Sequence, residues 1–271
     1  MSNRTYGVSV NSVSGGVVSL PRVFSGLLRE IWLLFRIQFA EVRDEWIWVV
    51  LMASMFPFST LLFLKYFTPV QTPEVMVRII TGNMVFALTI MGINVMGQVL
   101  AEQKKQGHFI YYASLPVSKL NFILALFVRG LLTCVPSVII LALLGQWVYG
   151  LQFQYSLVMI PVFFISLLAC IGLGAMIGFL SPSLQLANIL CQTLLMFINF
   201  LTPVMVQIEM LPTLLQKTAW IFPTTYVAQA FRVVVVDGWT ADVSRSMFVL
   251  SLFVVASLFI LIKKIDWRID S

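Results

Sequence analysis

Apolar runs of about 20 residues recur along the chain, the length a helix needs to cross a bilayer core of about 30 Å. They lie at residues 46–66, 79–101, 121–146, 156–180, 184–207 and 246–262. The pattern predicts an all-α, polytopic membrane protein with six transmembrane helices. Ahead of the first run, Arg22, Arg29, Arg36 and Arg43 recur at every seventh residue, close to two helical turns, so they share one stripe of a helix. Phe24, Leu27, Leu28, Ile31, Leu34, Phe35 and Phe39 fill the positions between. Residues 20–45 are therefore expected to form an amphipathic helix lying in the membrane interface. A solvated helix packed on a partner fits less well, because the other face is too apolar for water. Residues 1–19 are polar, rich in Ser and Gly, and lack the apolar centre of a signal peptide, so they read as a disordered cytoplasmic tail.

One connection departs from the pattern. Residues 208–236, between the fifth and sixth runs, are long for a loop yet apolar, with Pro212 and Pro223 interrupting and Trp220, Ile221, Phe222, Tyr226 and Phe231 close together. A full crossing there would disturb the distribution of basic residues. The expectation is a re-entrant hairpin that dips into the outer leaflet and returns, its non-helical backbone buried in protein. The transmembrane domain is thus drawn at residues 46–265, with a cytoplasmic segment at 102–119 and a short cytoplasmic C-terminus at 266–271.

Composition makes lipid the solvent. Of the 271 residues 60% are hydrophobic and 10% charged, against roughly 25% charged in a soluble domain. Mean hydropathy is +0.97. The net charge of +6 would hint at nucleic acid in a soluble protein; here the basic residues flank spans. Arg4, Arg22, Arg29, Arg36 and Arg43 precede the first span, Lys104, Lys105 and Lys119 lie between the second and third, and Lys263, Lys264 and Arg268 follow the last. Lys65, Arg78, Lys217, Arg232 and Arg245 are spread over longer connections on the other side, and residues 147–155 carry no charge. Both termini and the Ser181-Pro182-Ser183 turn are predicted to be cytoplasmic, in a cell (plasma or inner) membrane.

Candidate chemistry is sparse. Cys134, Cys170 and Cys191 all sit in apolar runs, with neither a disulfide framework nor a metal spacing. His108 is the single histidine, so this chain offers no His-based zinc or catalytic cluster. There is no G-x-x-x-x-G-K-[ST] phosphate loop, nucleophile elbow or metal motif. Glu102 and Glu209 stand at span ends, and no Asp or Glu is mid-span. Arg129, the one charge inside a predicted span, is near its cytoplasmic end, where it can snorkel. The chain is expected to be no enzyme, to hold no metal or cofactor of its own and, if it transports, to take its energy from another polypeptide.

Two amide stripes stand out. In the fifth span Gln185, Asn188, Gln192 and Asn199 fall within about 60° of one another at about 100° per residue, with Thr202 close by. In the second, Asn83, Asn94 and Gln98 share a face on the same counting. Amides are costly toward lipid, so these faces point into the protein or toward a wet path. The residues alone leave interhelical glue and a path equally open. Gly174 and Gly178, with Gly172 before them, form a G-x-x-x-G pair suited to close helix packing. Pro57, Pro136 and Pro161 are expected to kink or start helices.

Residues 102–119 read Glu-Gln-Lys-Lys-Gln-Gly-His-Phe-Ile-Tyr-Tyr-Ala-Ser-Leu-Pro-Val-Ser-Lys. This segment resembles the cytoplasmic connection of ABC-2 type transporter permeases, in which a glutamate ends the second span and a charged run, a glycine, a short helix and a Pro-x-Ser turn follow. Glu102, Gly107, Pro116 and Ser118 match; His108 stands where a small hydroxyl residue is usual, and Ile110 where an acidic residue is common. The basic amphipathic helix, the proline in the first span and the stretch from Leu211-Pro212 through Phe222-Pro223-Thr224-Thr225-Tyr226 to Phe231-Arg232 fit as well. The resemblance implies a permease that works as a homo- or heterodimer. Each member would have a separate ATP-binding subunit that carries the ATP and Mg. It implies coupling to that subunit through Glu102, Lys104, Lys105, Gly107, His108, Pro116 and Ser118. The second and fifth spans would line a path along Asn83, Asn94, Gln98, Asn188, Gln192, Met196, Asn199 and Phe200. The outer hairpin, with Pro212, Pro223 and Tyr226, would close its end. An apolar and aromatic lining with amides suits an amphipathic or hydrophobic cargo, such as a drug-like natural product, a lipid or a lipid-linked glycan, better than a highly charged solute. A non-transporting scaffold or receptor subunit is the alternative, and a secondary carrier ranks last for want of a mid-membrane carboxylate.

Overall fold

The structure is a computed structural model that describes residues 73–110, 118–149, 157–202 and 212–264, together with Val204, Ile208 and scattered helical positions between residues 32 and 67. The regular structure of these residues is helical throughout. Helix α1 (Pro73–Thr89) runs without a break through a π-helical segment (Ile90–Val95) into α2 (Met96–Lys105). Then come α3 (Lys119–Tyr149), α4 (Met159–Leu180), α5 (Leu184–Leu201), the short α6 (Thr213–Ala219), α7 (Pro223–Asp237) and α8 (Ala241–Lys264). Of the expected surface helix, Trp32, Arg36, Phe39, Ala40 and Arg43 are helical and exposed. The tail at 1–19, the rest of that helix, most of the first run, residues 111–117 and the C-terminus after Lys264 lie outside the described residues.

Four helical stretches are long and apolar enough to cross a membrane: Val77–Lys105, Lys119–Ile140, Met159–Leu180 and Ala241–Lys264; the bent pair α6–α7, with 89° between its halves, brings the candidates to five. They coincide with the expected second, third, fourth and sixth spans. The fifth run holds α5, which ends sooner than the hydropathy suggests. Its C-cap Thr202 is extended, with φ −118° and ψ 155°, as the residue before a proline prefers, and Pro203 follows. Two further prolines sit where a missing N–H costs least. Pro223 opens α7 and Pro161 lies in the first turn of α4, whereas Pro136 is inside α3.

Helix α4 is the centre of the bundle and packs against α8, α2, the π segment, α7, α3 and α5. Its glycines make that possible. A Cβ on Gly178 would lie 2.6 Å from the Gly97 carbonyl oxygen, and one on Gly174 would overlap the carbonyl of Gly92. The G-x-x-x-G pair of α4 thus faces Gly92 and Gly97 across a backbone-to-backbone crossing. On the far side of α2, a Cβ on Gly97 would meet the Cys191 sulfur of α5 at 2.6 Å. Gly172 of α4 is seated against Ser257 of α8, each about two turns before the C-terminal end of its helix. Arg232 near the end of α7 bonds Val204 just beyond α5, so α8 starts at the far end of α5, runs parallel to α4, and ends level with it. Lys104, Lys105, Lys119, Lys263 and Lys264 gather at that one end of the bundle.

The π segment changes the reading of the second stripe. Wide turns add residues to the helix and shift its phase, so Asn83 does not share a face with Asn94 and Gln98 as uniform counting has it. Asn83 is fully buried and its amide donates to the Ile79 carbonyl at 2.8 Å. Asn94 and Gln98 are half-buried and bonded to each other, Nε2 to Oδ1, at 2.6 Å.

Candidate functional site

At the lysine-rich end, the last turn of α2 carries Glu102, half-buried, whose carboxylate accepts from the Gln106 amide at 2.9 Å. Lys104 reaches back across the bundle, its ammonium donating to the carbonyls of Phe179 and Ser181 at 3.0 Å each, so it caps the C-terminus of α4. Lys105 is exposed. Gly107, at φ +74°, supplies the left-handed turn that redirects the chain out of α2. The half-buried His108 begins a helical turn, and Phe109 beside it packs on Phe122 of α3 and Phe179 of α4, with ring centroids 5.7 and 5.0 Å away. Ser118 is the N-cap of α3; its hydroxyl accepts from the Asn121 N–H at 3.2 Å. Pro116 lies outside the described residues. The segment after Glu102 is thus tied to α3 by a ring contact, and to α4 by a ring contact and a cation at its carbonyl end.

The second cluster lies along α5. Cys191 is the contact point, its thiol donating to the Ile93 carbonyl at 3.6 Å, and Asn94 and Gln98 follow Ile93 and Gly97 on the facing helix. Around the α5 axis the amides occupy the border between buried and open surface. Asn188 and Asn199 are half-buried, each with a side-chain oxygen shielded from solvent and unpartnered among the described residues; Gln185 and Gln192 are exposed. The Asn199 amide donates to the Leu195 carbonyl at 2.9 Å, and Thr202 hydrogen-bonds the Ile198 carbonyl. Met196 and Phe197 continue the open face, at 65% and 49% exposure. Phe200 is helical, but its side chain lies outside the described residues.

The bent pair forms the third cluster. Pro212 precedes α6 and is exposed, while Pro223 is buried at the start of α7. Tyr226 meets Trp220 edge to face at 5.3 Å, and the Thr225 hydroxyl donates to the Ala219 carbonyl at 2.5 Å, which fixes the corner. Arg232 donates to the Val204 carbonyl at 2.7 Å and so ties α7 to the chain leaving α5. Sequence reasoning placed no function on Arg232. The signal was present, since it is the only charged residue between Lys217 and Asp237. A cavity of about 240 Å³ opens here, lined by Ile208, Trp220, Thr225, Gln229, Arg232 and Val233. A second cavity, of about 410 Å³, lies between α1, α3, α4 and α7 among Met84, Val138, Phe163, Phe231 and neighbouring apolar residues. Its wall has no polar side chain, which suits hydrocarbon. Among the described residues, no group of three His, Cys, Asp or Glu side chains could hold a metal ion.

No curated protein matches the chain. The profile of the family described as ABC-2 type transporter matches residues 27–236, which cover all three clusters. That family's ATPase activity lies in separate subunits, so membership implies an ATP-binding cassette partner. By sequence and by its bundle of apolar helices, this chain is a multi-pass membrane protein that belongs to the ABC-2 type transporter family, and it supplies the membrane permease domain.

Proposed function

We propose that the chain is the permease subunit of an ATP-driven exporter, paired with a second permease subunit and energised by ATP-binding subunits at its lysine-rich end. In this reading that end is cytoplasmic, because Lys104, Lys105, Lys119, Lys263 and Lys264 gather there. Six crossings follow from the run at 46–66, the helix through α1 and α2, and α3, α4, α5 and α8. The pair α6–α7 is then a re-entrant hairpin toward the outer leaflet, with Pro212, Pro223 and Tyr226 at its bends, and both termini are cytoplasmic.

The open face of α5 carries this reading. It presents Gln185, Gln192, Met196 and Phe197 beside the half-buried Asn94, Gln98, Asn188 and Asn199. An amide facing acyl chains without a partner costs on the order of several kcal/mol. This face therefore belongs against a second subunit or a wetted path. Its mixture of thioether, aromatic and amide groups favours an amphipathic or hydrophobic cargo over a highly charged one. The lysine-rich end supplies the lever: Glu102, Lys104, Lys105, Gly107, His108, Pro116 and Ser118 lie in or beside the segment tied to α3 and α4, so a push from the ATP-binding subunit would reach the helices that flank the path.

Inverted membrane vesicles containing the permease and its ATP-binding partner test the proposal with a panel of amphipathic fluorescent compounds. ATP-dependent accumulation of at least one compound is expected, lowered about tenfold by the pair Asn94→Leu and Gln192→Leu, a loss of about 1.4 kcal/mol at the limiting step. Unchanged accumulation in that double variant would remove the path from α5. A stable chain that binds no ATPase and moves nothing would leave the scaffold alternative.

A further inference from the structure

We propose that the apolar cavity between α1, α3, α4 and α7 holds a single alkyl chain of a membrane phospholipid, drawn from the leaflet opposite the lysine-rich end. The proposal rests on the protein spanning a membrane and is independent of the cargo and of the direction of transport.

The cavity has an open rim and a buried floor. At the rim Ile139, Ile160 and Phe164 are 52%, 50% and 40% exposed, whereas Met84, Val138 and Phe231 in the floor are buried. The cavity therefore runs inward from the surface of the bundle. Its depth follows from helix length. From Lys119 to Val138 along α3 the rise is about 28 Å, and from Leu180 back to Phe163 along α4 it is about 25 Å, at about 1.5 Å per residue. Both rises start at the lysine-rich end, so the cavity opens near the far side of a hydrocarbon core about 30 Å thick. Its rim faces acyl chains and not water.

Chemistry selects the occupant. A buried water takes about 2–4 polar partners, and no polar side chain lines this wall. The rings of Phe163, Phe164 and Phe231 and the thioethers of Met84 and Met159 offer dispersion contacts alone. Within a bilayer no hydrophobic drive separates a guest from its solvent, so packing decides. A gap forfeits the contacts of every group around it, and an alkyl chain that enters restores them. The volume of about 410 Å³ fits one chain and not a whole lipid. An apolar cavity of about 150 Å³ holds a benzene-sized guest, so at the same density this one takes on the order of 16 carbons. The headgroup then stays at the interface, and the wall has no group that selects its charge.

The test uses the permease with its ATP-binding partner in phosphatidylcholine nanodiscs that include a phosphatidylcholine with a diazirine near the end of one acyl chain. After illumination, the labelled residues are mapped by peptide mass spectrometry. Bilayer lipid touches the exposed apolar face of α8 in any case, so labelling at Phe248 and Phe259 is the reference. Labelling of the floor at Met84, Val138 and Phe231 is expected, because only a chain inside the cavity reaches residues so buried. At least one of the rim variants Ile139→Trp and Ile160→Trp should lower the floor labelling about tenfold, equivalent to about 1.4 kcal/mol. Both should leave the α8 reference and the Tm unchanged. A phosphatidylglycerol probe with the same acyl chain should label the floor equally. A floor that stays unlabelled while α8 is labelled would overturn the proposal. So would floor labelling that both rim variants leave intact, or that only one of the two headgroups gives.

Discussion

Lys104 stands in a run that reads as a solvated basic patch, yet its ammonium is shared between the carbonyls of Phe179 and Ser181, the end of α4. The last carbonyls of a helix lack intrahelical partners and carry its negative partial charge. A cation there contributes about 0.3–1 kcal/mol when exposed, and Lys104 is exposed. Lys104→Met should therefore lower stability by about 1 kcal/mol and Lys104→Arg by less, measured by thermal denaturation of the purified protein. If the contact also transmits motion, Lys104→Met should lower transport per ATP hydrolysed more than it lowers ATPase turnover. A far larger effect belongs to Gly174, where a new Cβ would overlap the Gly92 carbonyl and lie 2.7 Å from that of Ile93. Backbone oxygens cannot rotate aside as a side chain can, so Gly174→Ala should cost about 1–3 kcal/mol or more. A Gly174→Ala protein that melts with the wild type would refute the close crossing of α4 and the π segment.

At the scale of elements, the continuous helix from α1 through the π segment to α2 separates two asparagines that periodicity puts together. Asn83 is inside the bundle with one carbonyl oxygen buried and unpartnered, so replacing it with an apolar group of similar shape removes a desolvation cost along with a local bond. Asn83→Leu should change stability by no more than about 1 kcal/mol and leave transport intact, whereas Asn94→Leu should spare stability and lower transport. Parallel flux and melting measurements on the two variants decide it, and equal loss of transport would restore a single face. The π segment is not legible in the sequence, because no residue type marks the switch to i→i+5 bonding and a count at about 100° per residue presumes it absent. The membrane helices were legible because each needs only a long apolar run. The corner at α6–α7 was legible because Pro223 cannot continue a preceding helix. The strut from Lys104 to α4 was not, since it joins positions 75 and 77 residues apart and no local pattern encodes that pairing.

The whole molecule is asymmetric along the membrane normal and unfinished on one side. Lys104, Lys105, Lys119, Lys263, Lys264 and the segment after Glu102 occupy one end, its Trp-rich corner the other, and α5 leaves a flank of Gln185, Ile189, Gln192, Met196 and Phe197 with no described element against it. Closed two-fold assemblies place the same patch of each copy against its twin. A second copy would then meet this one near α5, across a path lined by both. The native cysteines are all buried, so a new cysteine on this flank can be followed above them. Met196→Cys, in membranes that also contain the ATP-binding partner, should give an oxidant-dependent dimer on non-reducing gels, because equivalent residues close to a two-fold axis can come within the roughly 4.4–6.8 Å between Cα atoms that a disulfide needs. Phe248→Cys, on the exposed face of α8, should give none, since that face is wholly apolar at Leu252, Val255 and Phe259 and suits lipid. If ATP binding pushes on the segment after Glu102 and through Lys104 on α4, as proposed, it should change the yield at Met196 and not at Phe248. Efficient cross-linking through Phe248 with none through Met196 would move the pairing surface from α5 to α8 and take the path with it.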